Sequence, residues 1–283
     1  MKIFETPMDQ IEDVYAFFQD PSNMPLIQVA SDKTHYVWQH FSNHFHTEQV
    51  LRDGPISELP ERKDPAIGGI SVTFEDGTSK TVDDYFDTST MDAMLVLREG
   101  NVVYERYKTM RPLDKHIWFS CSKTIEGTLL AMLEHEGKVD VSKPVTEYVP
   151  ELAGSEWDTV TVEETADMAT GLDSTEHEVP DARTNPARGW YQWAVSIGLF
   201  EDTKKLNETP IDVLKRMKRE KPGHTVFEYN SINTFVCQTI VENVTGVPLA
   251  ELFAERFWRR IGAQGDGYIV MNKQGHAPWA SAS

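Results

Sequence analysis

The chain has 283 residues, 40% of them hydrophobic and 25% charged, with 27 basic side chains against 45 acidic ones and a formal net charge of −18. That length and balance fit one large domain or two intertwined ones. The acidity excludes nucleic acid and anionic membrane as partners, since both bind basic surfaces.

Met1-Lys2-Ile3-Phe4-Glu5 lacks the basic stretch and apolar core of a secretory leader. No run of about eighteen apolar residues is present to cross a membrane. Residues 1 to about 65 read as irregular, with a helix near Met8–Asp20 and another around His35–His46. Two hairpins follow. Gly69–Glu75 and Ser79–Val82 flank Asp76-Gly77, a strong tight-turn signal. Ala93–Arg98 and Val102–Tyr107 flank Glu99-Gly100-Asn101, with apolar and polar residues alternating. Such strands are antiparallel.

Beyond Pro112 the pattern turns helical. Ser122–Glu136 places Ile125, Leu129, Met132 and Leu133 on one face, and Gly137 suits its C-terminal cap. Thr161–Ala169 reads as a short helix with acids in its first turn. From Asp173 to about Arg188 the chain reads as an acidic loop, a candidate substrate-binding wall. Further helices are predicted at Pro210–Arg219, Ser231–Asn243 and Leu249–Arg260. The organisation expected is residues 1–110 as an N-terminal extension with the first strands of an α/β domain. Residues 111–260 form a mainly helical region, and 261–283 begin the return to the α/β domain.

Two cysteines, Cys121 and Cys237, are too few for a disulfide framework, so a reducing, cytoplasmic setting is expected. Cys121 has no histidine near it in sequence to form a thiolate pair and reads as a packed small side chain. Its neighbour is the stronger nucleophile. Ser120-Cys121-Ser122-Lys123 opens the helix at Ser122, and residues at i and i+3 share a helix face. Lys123 can therefore reach the Ser120 hydroxyl, which needs a base before it can attack. A serine and a lysine at this spacing mark the penicillin-recognising enzymes.

Two more phrases give the pair a context. One is Pro222-Gly223-His224-Thr225-Val226-Phe227-Glu228-Tyr229-Asn230-Ser231, a turn leading to a tyrosine at the head of a helix. The other runs from Gly137-Lys138-Val139-Asp140 through Tyr148-Val149-Pro150-Glu151-Leu152 to Met168-Ala169-Thr170-Gly171-Leu172. Together, in this order, they resemble the class C β-lactamase-like serine hydrolases. The likeness is nearest to the 6-aminohexanoate-dimer (nylon-oligomer) hydrolases and related carboxylesterases. It covers roughly residues 90–283 and, more faintly, Trp38-Gln39-His40-Phe41.

The resemblance implies an α/β (α+β) fold, an antiparallel sheet flanked by helices with an inserted mainly helical domain. It also implies Ser120 as nucleophile, Lys123 as its activating partner and Tyr229 as proton shuttle, with no metal or organic cofactor. Burial of the lysine would favour its uncharged, proton-accepting form. The function expected is cleavage of a linear amide or ester through an acyl-enzyme. Transfer to another acceptor remains an alternative, as does a binding protein that kept the fold without catalysis.

The chain departs from the family twice. The β-lactamase Tyr-x-Asn triplet has Ser231 at its third position, which points away from β-lactam turnover. The family's later Lys- or His-led triplet, on a strand that supplies half the oxyanion hole, has no counterpart before Ser283. The C-terminal strands are therefore expected from a second polypeptide. His40, His44 and His46 read as structural histidines, and core packing is at least as good an account of Tyr191 as substrate contact.

Overall fold

The computed structural model describes residues 8–205 and 207–272. The chain forms two compact units. One comprises residues 8–44, Gly54–Ile117 and Gly262–Gly265. The other comprises Phe45–Asp53, Trp118–Ile261 and residues 266–272.

The first unit opens with α1 (Met8–Gln19) and α2 (Asp32–Gln39). A capping box starts α2: the Ser31 hydroxyl accepts the Thr34 N–H, and the Thr34 hydroxyl accepts the Ser31 N–H. This cap lies ahead of the predicted start at His35. The helix also ends sooner than expected, because His40 leaves helical geometry at φ −126°. The His40 ring stacks on Tyr36, and a 3-10 turn at Phe41–Asn43 follows. β1 (Thr47–Val50) belongs to the second unit.

The predicted hairpins both form. β2 (Ser71–Thr73) pairs with β3 (Ser79–Thr81), and Thr81 then caps α3 (Val82–Thr88), a helix absent from the sequence reading. β4 (Ala93–Arg98) pairs with β5 (Asn101–Tyr107). Glu99 and Gly100 form its two-residue turn with φ of 51° and 75°. Left-handed geometry at both positions matches the right-handed twist of the strands it joins.

The second unit is built around α4 (Lys123–His135). Its smaller helices are α5 (Val162–Ala166), α6 (Gly189–Ser196) and α7 (Pro210–Leu214). α8 (Ser231–Thr245) and α9 (Leu249–Phe253) follow, and β6 (Gly267–Val270) pairs antiparallel with β1. The predicted stripe on α4 is the buried one: Ile125, Leu129 and Leu133 pack with Ile232, Phe235, Val236 and Ile240 of α8 in one core. Each such side chain contributes about 1.5–3 kcal/mol of transfer free energy. Trp157, Trp190 and Trp193 fill the same core.

Three predicted helices are shorter or less regular than expected. α5 starts at its predicted cap, Thr161, but stops at Ala166. α7 stops at Leu214 because the chain beyond it is drawn into pairing with 171–173. Asp173 N–H donates to Lys218 O at 2.8 Å, and Lys218 N–H donates to the Asp173 carboxylate at 2.8 Å. After α9, the predicted helix continues as a π-helical stretch over Ala254–Trp258. Among the described residues no helix is long and apolar enough to cross a membrane.

Candidate active site

Ser120 precedes α4, in a 3-10 turn over Phe119–Ser122. Phe119 has φ 46°, a left-handed conformation that costs a non-glycine residue about 1–2 kcal/mol. The Ser122 hydroxyl donates to the Phe119 carbonyl and holds this turn. The result is an exposed Ser120 above a half-buried Lys123. Lys123 Nζ donates to Ser120 Oγ at 3.0 Å. The same nitrogen lies over the ring of Tyr229, 5.2 Å from its centroid. The structure thus brings together all three residues singled out from sequence.

Tyr229 is delivered by an extended segment fastened to the Met168–Leu172 phrase. Glu228 N–H donates to Met168 O at 2.8 Å, His224 N–H to Ala169 O at 2.9 Å, and Glu220 N–H to Gly171 O at 2.8 Å. Gly171 has φ 68°, and a Cβ there would meet Lys221 O at 2.1 Å, so the close approach requires glycine. Two sequence phrases that looked independent are therefore one structural unit.

The acidic loop does more than form a wall. Asn230 caps α8 through its Oδ1, which accepts the Ile232 N–H, while its Nδ2 donates to Ser174 O and Oγ, each at 2.8 Å. Glu176, itself buried, accepts the Ser231 N–H at 2.9 Å and the Ser231 hydroxyl at 2.8 Å. The adjacent His177 ring lies 5.7 Å from that of Tyr229. A carboxylate at a helix N-terminus is favoured by the orphan N–H groups there. Ser231, which stands where β-lactamases have asparagine, is thus engaged with Glu176.

A Beta-lactamase family domain matches residues 85–282, most of the chain and all three of these side chains. The chain belongs to the Beta-lactamase family. It is 32% identical over 224 residues to a 6-aminohexanoate-dimer hydrolase of Paenarthrobacter ureafaciens, covering 76% of this chain and 54% of the relative. A solved structure from Bacillus anthracis, described as a candidate 6-aminohexanoate-dimer hydrolase, superposes with a TM-score of 0.77 at 22% identity. That match covers 91% of this chain and 66% of the other. A class C β-lactamase in complex with cefoxitin gives a TM-score of 0.51 at 18% identity, covering 71% and 59%. These likenesses show the β-lactamase-like fold. The chain spans about half the length of the curated relative it matches.

Other residues singled out from this Beta-lactamase-family sequence fall elsewhere. Cys121 is exposed and not packed as expected, because the turn at Ser120 points it outward rather than into a helix interface. Tyr191 lines a cavity of about 770 Å³ with Phe235, Thr239 and Asn243. None of Ser120, Lys123 and Tyr229 lines that cavity. His40 stacks on Tyr36 and His44 packs against Tyr15, 4.7 Å between ring centroids. Glu176 and Ser174 were hidden within a loop that composition alone describes as acidic. Their one local signal is that they sit a few residues after the Gly171-Leu172 turn.

Proposed function

We propose that this chain carries the acylation centre of a serine hydrolase that cleaves a linear amide or ester through an acyl-enzyme on Ser120. The observation that carries this reading is the 3.0 Å hydrogen bond from Lys123 Nζ to Ser120 Oγ, with the Tyr229 ring against the same nitrogen. In the free-amine form, Lys123 can take the Ser120 proton as the oxygen attacks the carbonyl carbon. Tyr229 relays that proton from Lys123 to the departing amine or alcohol, which restores the free amine. Water then attacks the ester carbonyl, its proton passing to Lys123 and on to the departing Ser120 oxygen. The turn ahead of α4 stands at the positive end of the helix, where a backbone N–H would stabilise the developing oxyanion.

The linear substrate is suggested by the 32% identical relative, whose name specifies an amide of that kind. The engagement of Ser231 with Glu176 supports the same direction, since that position holds no free amide for a β-lactam. The free thiols Cys121 and Cys237 suit a reducing, cytoplasmic compartment.

The test is a panel of short linear amides, p-nitrophenyl esters and β-lactams, with mass detection of the acylated Ser120 peptide. The expected result is an ester-linked acyl adduct on Ser120, formed from the amides or the esters, and little β-lactam turnover. Tyr229→Phe should lower amide turnover by about 10²–10⁴-fold, the range for a general acid, with ester turnover less affected because its leaving group needs less protonation. An adduct on any other residue overturns the reading.

The partner is a second proposal. β4 has one strand neighbour among the described residues, β5, and exposes Leu95 and Leu97 at 48% each. An open apolar strand is a template for pairing. We propose that it takes a strand from a second polypeptide that completes the sheet. Native mass spectrometry of the active species should show such a complex, and an active 32.2 kDa monomer overturns the idea.

A further inference from the structure

The helix that carries Lys123 buries an acid one turn further on. Glu126 is 2% exposed, and its Oε2 has no hydrogen-bond partner among the described residues. At i+3 from Lys123 it lies on the same side of α4. An isolated ionised carboxyl in such a place is costly, so the group tends to keep its proton. Burial pushes the Glu126 carboxyl up to about 8. Its own helix N–H and the Lys123 charge pull it down only in part, and Glu242 adds to the rise.

The groups packed around it leave Lys123 as its counter-charge. From α8, Cys237 and Glu242 face the same interior. Burial, with Glu126 beside it, pushes the Cys237 thiol up to about 12, so it stays neutral. Glu242 is already engaged, accepting the Leu249 N–H at 2.9 Å and a hydrogen bond from Gln238 Nε2 at 3.3 Å. On α9, Glu251 acts on Glu48 of β1. α8 also holds two buried acceptors with no donor among the described residues, Asn233 Oδ1 and Gln238 Oε1. A protonated carboxyl is the kind of donor this interface lacks.

We propose that Glu126 is a positioning residue for the acylation centre: by keeping or losing its proton, it sets whether Lys123 is held as an ammonium or is free to accept the proton of Ser120. This rests on the acyl-enzyme reading above. With Glu126 neutral, no buried anion opposes loss of the Lys123 proton. With Glu126 ionised, the two charges stabilise each other, and Lys123 takes the Ser120 proton less readily. The coupling is reciprocal, so Lys123 must act on Glu126 as strongly as Glu126 acts on Lys123.

Two measurements test it. The first is the rate at which a fluorophosphonate labels Ser120, followed across pH in the wild type and in Glu126→Gln. The two rates should agree near pH 6, and the variant should become faster by about tenfold near pH 9, within the usual range of site coupling. A rate ratio that does not change with pH overturns the proposal. The second measurement needs no activity and stands even if Glu126→Gln does not fold. It follows the infrared carbonyl band of the protonated Glu126 carboxyl, assigned by its shift in Glu126→Asp, through a pH titration. In Lys123→Met this band should persist to a pH about one unit higher than in the wild type, since a tenfold coupling is one pH unit. An unchanged midpoint overturns the proposal. Failure of Ser120 to label at all, with the infrared shift present, would count against the acyl-enzyme reading alone.

Discussion

Ser120→Ala is expected to lower turnover of a p-nitrophenyl ester by about 10⁴–10⁶-fold, the loss typical when an attacking hydroxyl is removed. Ser120 is exposed, so the variant should fold as the wild type does, and circular dichroism should be unchanged. Lys123→Ala should cost nearly as much. Residues acting as one unit lose their effect together, so the double variant should be little worse than either single one. The competing nucleophile is next door. Cys121 is an exposed thiol one residue from Ser120, and its sulfur is intrinsically more nucleophilic than a hydroxyl. The two are separated by Cys121→Ala, which should leave ester turnover within about twofold, as expected for a surface substitution away from the reacting group. If Cys121→Ala removes the activity and Ser120→Ala does not, the thiol is the nucleophile. The turn explains why it should not be: Lys123 Nζ contacts the Ser120 oxygen, the atom three residues back on its own face.

How much of this site could be read in advance depends on how local each contact is. Ser120 and Lys123 are three residues apart at the head of one helix, and a spacing rule reaches that far. Tyr229 was legible only through the order of motifs that resembles the family, and the structure gives that order a cause. Glu228 and His224 hydrogen-bond to Met168 and Ala169, so the two phrases must occur together for the tyrosine to arrive. Glu176 and Glu126 were not legible. Glu176 matters because it reaches Ser231, 55 positions on, and one acid in an acidic loop looks like another. Glu126 lies among charged and polar helix residues, and only its burial against α8 sets it apart from Glu134 or Glu136. The fold follows the same rule. Hairpins closed by Asp76-Gly77 and Glu99-Gly100 were visible in sequence. The β1–β6 pair was not, since Thr47 and Val270 meet across most of the chain and each strand has only four residues. The early end of α7 had the same origin, in pairing between Asp173 and Lys218 that no window of local sequence contains.

The first unit holds a second buried network that sequence did not disclose, and breaking it should be the larger stability effect. Asp92 is 6% exposed. It accepts from His35 Nδ1 at 2.9 Å, from His116 Nε2 at 2.9 Å, and from the Thr109 hydroxyl. Burial opposes its charge, but the hydrogen bonds from His116, Thr109 and His35 together hold its carboxyl below the usual range. His116 also places Nδ1 at 2.9 Å from the Ile117 carbonyl, so both ring nitrogens face acceptors, and the charged ring is the form in which both can donate. Although burial opposes the charge, the Asp92 and Ile117 hydrogen bonds favour the imidazolium and raise His116 above its ordinary value. Asp92→Asn leaves this cation facing an amide and should cost about 3 kcal/mol, at the low end for breaking a buried pair because His116 is 33% exposed. The pH dependence follows from the two directions. The raised His116 contributes fully below about pH 6.5, and that contribution is lost as pH rises through its folded value. The lowered Asp92 contributes fully above about pH 4, and its share is lost as pH falls through its folded value. Stability from this network should therefore be greatest between about pH 4 and 6.5 and decline on both sides. Urea midpoints, with hydrogen exchange of β4 and β5 as the local readout, should show that profile in the wild type and a flatter one in Asp92→Asn. If the variant keeps both the wild-type stability and the wild-type slope above pH 6.5, then His116 is not held as a cation by Asp92.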